Sequence, residues 1–219
     1  MLFDLRSRGR RRTVQAVYLT LAILMGGGLV LFGVGTGSGI GGLLNAFTGS
    51  GSNQQTQVLS QQEKAALKAT KADPSSAAAW ASLVNARYAN ASSTGYDSTT
   101  ATYTAAGKKE LTAATQDWQR YLTLTKTPDP NVAIIAARAY AQLAQYSGAA
   151  GAWQIEAAAT PSEVKGYECL AVSAYAAGDT RVGTLAEAKA LTLTPKAERS
   201  TLKSEIEAAK TQPTVAQSC

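Results

Sequence analysis

Histidine is absent from the 219-residue sequence, so the side chain that most often serves as a general base or metal ligand is missing. Cys169 and Cys219 are the only cysteines, too few for a structural zinc site. The sequence also lacks the motifs of serine hydrolases, zinc proteases and phosphate-binding loops. These absences predict a protein that is not an enzyme and that binds neither a metal nor a cofactor.

Positive charge is in excess, but it is distributed unevenly along the chain. The 21 basic residues outnumber the 15 acidic ones. Five arginines cluster near the start, with Asp4 as the only acidic residue among them: Arg6, Arg8, Arg10, Arg11 and Arg12. Without these six residues, 16 basic and 14 acidic residues remain, so the rest of the chain is nearly neutral. Because no basic face remains to follow a phosphate backbone, we expect no nucleic-acid partner.

Residues 14–34 form an uncharged apolar run of 21 residues directly after the arginine cluster. A helix of this length spans about 30 Å, the thickness of a bilayer core. Positive charge stays on the cytoplasmic side, so the cluster predicts a cytoplasmic tail over residues 1–13 and an extracytoplasmic body. The alternative is a cleaved signal peptide, but its apolar core is usually about 7–15 residues and precedes a small-residue cleavage site. The sequence favours an uncleaved single-pass anchor in the cell membrane.

Beyond the apolar run, the composition predicts a flexible Gly/Ser linker over residues 35–54, a helical domain over 55–210 and a flexible tail over 211–219. Strand patterns are weak, whereas helix formers and apolar stripes recur between prolines. Eight segments are predicted as helices: Gln61–Lys71, Ser76–Ala91, Lys108–Leu124, Val132–Tyr146, Ala149–Ala159, Glu163–Ala177, Arg181–Leu193 and Lys196–Lys210. The fold class is therefore predicted to be all-α.

The helical segments show signs of an internal repeat. Pro161 and Pro195 are 34 residues apart, and an aromatic residue follows six positions after Pro74 (Trp80) and after Pro161 (Tyr167). Residues 60–210 thereby resemble a tetratricopeptide-repeat array, which implies about three helix pairs stacked into an α-solenoid with a capping helix. The spacing is irregular around residues 90–130, where the register stays open.

The chain as a whole is similar to small membrane-anchored tetratricopeptide proteins of actinobacteria. The similarity includes the N-terminal sequence MLFDLRSRGRRRTVQ and a span that contains glycines. That group has no assigned reaction, so the resemblance implies an architecture and not a chemistry.

Three tyrosines recur near the ends of predicted first helices: Tyr88, Tyr140 and Tyr175. The resemblance implies that first helices line a concave surface, where such tyrosines would contact a peptide. The alternative is that they pack in the core. Asn85 and Arg138 lie within one turn of two of these tyrosines and could bind a peptide backbone or a carboxylate, unless they are simply solvated.

These observations predict a membrane-tethered extracytoplasmic scaffold that binds a protein or peptide partner through a repeat groove. One alternative is a chaperone-like factor associated with the secretion translocon, and another is an accessory subunit of a cell-envelope enzyme complex. Cys169 and Cys219 could form a disulfide in an oxidising compartment, or remain a buried and a terminal free thiol.

Overall fold

Eight α-helices follow one another in the computed structural model, which describes residues 52–219, with side-chain surroundings from residue 58 onward. They are α1 (Ser52–Ala72), α2 (Ala77–Thr94), α3 (Ala105–Leu124), α4 (Pro130–Gln142), α5 (Tyr146–Ala159), α6 (Val164–Ala176), α7 (Thr180–Leu193) and α8 (Arg199–Ala208). A short 3-10 helix over Pro213–Ser218 comes last. The predicted all-α class is confirmed for this compact unit.

The predicted cytoplasmic tail with its five arginines, the apolar run of residues 14–34 and linker residues 35–51 lie outside the described residues. Between residues 52 and 219, no helix combines the length and the apolar character that a membrane crossing requires.

Capping side chains define where several helices begin. The Ser76 hydroxyl accepts a hydrogen bond from the Ala79 amide at the start of α2, and the Thr104 hydroxyl accepts one at the start of α3. Asp129 and Asp179 cap α4 and α7 in the same way. Each cap satisfies an amide that would otherwise lack a partner in the first helical turn, which fixes the boundary.

Two predicted boundaries are wrong. The segment Val132–Tyr146 is not one helix, because α4 ends at Gln142 and Tyr146 already begins α5. Ala144 adopts the left-handed conformation between them, with φ of 55°. Neither glycine nor proline marks this turn, so no residue type in the sequence signals it. The predicted flexible linker also extends too far, since α1 begins at Ser52.

The polar stretch between the second and third predicted helices contains a small antiparallel hairpin. Its strands are β1 (Tyr96–Asp97) and β2 (Thr102–Tyr103), in which Tyr96 pairs with Tyr103. The two tyrosine rings meet edge to face, with centroids 5.2 Å apart. Strands of two residues are too short to produce an alternating sequence pattern.

Consecutive helices pack against each other along the chain, and large side chains fill the space between them. Trp118 and Trp153 are each 2% exposed, and Leu83 and Ile206 are buried as well. Most other core positions are alanines, which allow neighbouring helix backbones to approach closely.

The predicted flexible tail over residues 211–219 is wrong, because this part of the chain is folded onto the helices. Ala216 within the 3-10 helix is fully buried, and Cys219 is 9% exposed. A disulfide joins Cys219 to Cys169 of α6, with Cα atoms 5.6 Å apart. Of the alternatives that the sequence left open for the two cysteines, the structure contains the bridge.

Candidate functional site

Two of the three tyrosines predicted to contact a partner lie in the core. Tyr140 and Tyr175 are 6% and 5% exposed. The Tyr140 hydroxyl accepts a hydrogen bond from Gln119 Nε2 at 2.6 Å, and the Tyr175 hydroxyl donates one to Glu187 Oε2 at 2.6 Å. Burial raises the pKa of both phenols. They are therefore packing residues, which was the alternative interpretation, and no exposed tyrosine ladder is formed.

Tyr88 and Asn85 both belong to α2 but differ in exposure. Tyr88 is half-buried against Ala91, Leu111 and the hairpin residue Tyr103. Burial also raises the pKa of its phenol. Asn85 is exposed. The five predicted partner-binding residues thus differ in burial: Tyr140 and Tyr175 are buried, Tyr88 is half-buried, and Asn85 and Arg138 are exposed.

Arg138 of α4, which the sequence offered as a contact for a partner, binds main chain of this same protein. Its Nε donates a hydrogen bond to the main-chain oxygen of Cys219 at 3.2 Å. One turn further along α4, Gln142 Nε2 donates to the main-chain oxygen of Gln217 at 3.0 Å. We call the surface that receives residues 213–219 the α4–α6 face; it is defined by Arg138, Gln142 and Cys169. Residues 213–219 therefore occupy this part of the surface.

A second surface, between α5 and α7, is open. We call it the α5–α7 groove; its lining includes Gln154 and Ala157 of α5, Tyr167 and Leu170 of α6, and Val182 and Leu185 of α7. Its volume is about 310 Å³, and a smaller hollow of about 200 Å³ continues it towards the start of α5.

The α5–α7 groove is predominantly apolar at its rim as well as at its base. Leu185 is 68% exposed, which makes it the more exposed of the two large apolar side chains that protrude from the described part of the chain. Lys189 places its ammonium group 5.6 Å from the centre of the Tyr167 ring at one end. At Gly151, in the continuation of the groove, a Cβ atom would meet no atom within 4 Å. Small residues on α5 therefore keep the groove open.

A third cluster is electrostatic and lies between α1, α2 and α3. Arg87 Nη1 is 3.0 Å from Asp117 Oδ2, and Arg87 Nε is 3.6 Å from Glu63 Oε1. Glu63 also accepts a hydrogen bond from Asn90 Nδ2 at 2.7 Å. Burial raises the pKa of Asp117 to about 6, although Arg87 acts in the opposite direction. The cluster joins three helices, and its members come from distant parts of the sequence.

Within residues 52–219, no group of three or more His, Cys, Asp or Glu side chains could hold a metal ion. Comparisons with protein-family models, with curated proteins and with solved structures find no match for the chain. The candidate functional surfaces are therefore defined by geometry alone: the occupied α4–α6 face and the open α5–α7 groove.

Proposed function

We propose that this protein is a membrane-tethered, extracytoplasmic scaffold that binds a protein partner through a helical-repeat body of tetratricopeptide type. The lengths and spacing of four helices support the repeat. Pro130 and Val164 begin α4 and α6, which both have 13 residues, and these starts are 34 residues apart. Tyr146 and Thr180 begin α5 and α7, which both have 14 residues, at the same spacing.

The disulfide supports the extracytoplasmic part of the proposal. Disulfides persist in oxidising compartments and are rare in the cytosol, where thiols are kept reduced. Cys169 and Cys219 are 50 positions apart in the sequence, yet the fold brings their Cα atoms within 5.6 Å. The arginines before residue 14 and the uncharged run of residues 14–34 support the same orientation.

We select the α5–α7 groove as the binding surface because Leu185 is exposed beside it. Exposed apolar patches with a concave shape are typical of interaction sites, because covering them removes apolar area from water. The groove volume of about 310 Å³ is at the lower end of the range for ligand pockets, which suits one or two apolar side chains of a partner peptide. Leu185 at the rim would then lie against the partner.

The groove is tested by crosslinking the full chain in native membranes and recovering its partners with three variants. Gly151→Trp fills the continuation of the groove, and Leu185→Glu places a charge at its rim. Ala188→Glu is the matched control, because it adds the same charge at an exposed position of α7 outside the groove. We expect the first two variants to recover at least tenfold less partner than the control. Equal recovery by all three would contradict the proposed surface.

The identity of the recovered partner separates the main proposal from its two alternatives. Translocon subunits would favour the secretion-associated factor, and cell-wall enzymes would favour the accessory subunit.

The proposed topology has a separate test with intact spheroplasts. External protease should digest the body and leave a small protected N-terminal fragment. Neutral replacements of Arg6, Arg8, Arg10, Arg11 and Arg12 should give mixed orientations. A fully protected body in the wild-type chain would contradict the orientation.

A further inference from the structure

Residues 213–219 occupy the α4–α6 face in the way that a bound peptide occupies its receptor. Two side chains of α4, Arg138 and Gln142, donate hydrogen bonds to main-chain oxygens of this segment. Ala216 lies within the 3-10 helix, directly before the first of these acceptor residues, and its methyl group is fully buried. Side-chain donors to a main chain, together with a pocket for a small apolar residue, are the elements of peptide recognition.

The only covalent link between this segment and the helix beneath it is the disulfide to Cys169. Cys169 is fully buried, while Cys219 retains 9% exposure. A covalently held segment has a very high effective concentration at its own site, so it excludes a free peptide of similar affinity. Breaking the disulfide leaves the segment attached only through the main chain after α8, so it still competes with a free peptide but is held less firmly.

A buried polar group on α6 also lacks a hydrogen-bond partner. Ser173 lies four residues after Cys169 on the same side of α6, because residues four apart in a helix lie one above the other. It is fully buried, and its hydroxyl has no hydrogen-bond partner. A buried hydroxyl without a partner is unfavourable.

We propose that the α4–α6 face is a second binding site, for a short peptide in which a small apolar residue is followed by main-chain carbonyls that accept from Arg138 and Gln142, and that residues 213–219 and the disulfide together keep it closed. This site is distinct from the α5–α7 groove, since it uses the Cys169 side of α6 whereas the groove uses Tyr167 and Leu170. The test of this second site can therefore succeed or fail independently of the test of the α5–α7 groove.

Opening requires a dithiol as the reductant. One thiolate of the dithiol attacks Cys219 Sγ, the more exposed of the two sulfurs, and the thiolate of Cys169 leaves and takes up a proton. The second thiol of the reductant then displaces Cys219 from the mixed disulfide. The products are two cysteine thiols and one oxidised dithiol, so two electrons and two protons pass to the protein.

The binding test uses the full chain and a fluorescent peptide of residues 211–219 with serine in place of its cysteine. The chain carries Cys169→Ser and Cys219→Ser, with either Ala216→Asp or Thr214→Asp. Ala216→Asp places a charge in the apolar pocket and expels the segment, whereas Thr214→Asp adds the same charge at an exposed position. We expect at least tenfold tighter peptide binding by the Ala216→Asp chain. Adding Arg138→Ala or Gln142→Ala should weaken that binding about fivefold each, the effect of losing one hydrogen bond.

Equal peptide binding by the two aspartate variants, with normal helical circular dichroism, would overturn the proposal. If the Ala216→Asp chain loses its helical signal, hydrogen exchange of the wild-type chain decides instead. Dithiothreitol should accelerate exchange of the amides of residues 215–219 at least tenfold and let the wild-type chain bind the peptide more tightly than the oxidised chain does, though less tightly than the Ala216→Asp chain, because the attached segment still competes. Unchanged exchange, or faster exchange without peptide binding, would also overturn it.

Discussion

The ring of Tyr140 lies directly against the backbone of Gly148: a Cβ atom at this glycine would be 2.6 Å from the ring carbon Cδ1. Gly183 has the same relationship to Tyr175 in the next pair of helices. In both pairs the glycine follows its tyrosine by eight residues. Each aromatic ring thus occupies the space that a larger residue on the facing helix would need, which brings α4 close to α5 and α6 close to α7.

This relationship distinguishes two glycines of the same helix. We expect Gly148→Ala to lower the free energy of unfolding by about 1–3 kcal/mol, because the added methyl group must displace the ring of Tyr140 or the helix backbone. Gly151→Ala should raise it by up to about 1 kcal/mol, since its methyl group meets open space and alanine favours the helix. Urea unfolding of residues 52–219 measures both. A similar effect of the two substitutions would contradict the close contact.

The tyrosines should differ in their contribution to stability. Tyr140→Ala and Tyr175→Ala each remove a buried ring and should cost about 3–5 kcal/mol. Tyr88→Ala should cost well under half of that, because Tyr88 is only half-buried. Thermal unfolding of the three variants provides the comparison. If Tyr140→Ala and Tyr175→Ala lose little stability but no longer bind a partner, these tyrosines would be contact residues, as the sequence suggested.

Asp117 should make stability depend on pH. Its pKa of about 6 lies above the ordinary value near 4, so the folded state holds the proton more tightly than the unfolded state does. As pH rises from 4 to 7, ionisation of Asp117 therefore costs stability. The stability of the wild-type protein relative to Asp117→Asn should fall by on the order of 2 kcal/mol over this range. Denaturant unfolding at several pH values checks this, and a constant difference would contradict the buried carboxylate.

The disulfide should stabilise the fold because it closes a long loop of the chain. Cys169 and Cys219 are separated by 50 positions, and a constraint of this length lowers the entropy of the unfolded state by an amount worth about 4 kcal/mol. The double variant Cys169→Ser, Cys219→Ser should therefore unfold at a lower urea concentration than the oxidised wild type. The reduced wild type is the control and should match the variant. An unchanged midpoint would mean that the bridge constrains little.

The sequence was sufficient to predict most of the helices, but it was not sufficient to predict which residues form the candidate binding surfaces. Apolar periodicity and proline positions predicted the helical segments, but the turn at Ala144 contains none of the residues that usually mark a turn. Tyrosine suits a core and a binding surface equally, so recurrence alone did not reveal that Tyr140 and Tyr175 are buried. Arg87 and Asp117 meet only because α2 and α3 pack together, and no local spacing encodes that contact.

The start of α1 at Ser52 sets a limit on how far the body can move from a membrane. In the proposed topology the anchor ends at residue 34, so 17 residues, 35–51, connect it to the first helix. Even a fully extended chain of this length reaches no more than about 60 Å. In that topology a partner must come within this distance plus the size of the body itself, so proteins anchored in or bound to the same membrane would be favoured over freely diffusing ones.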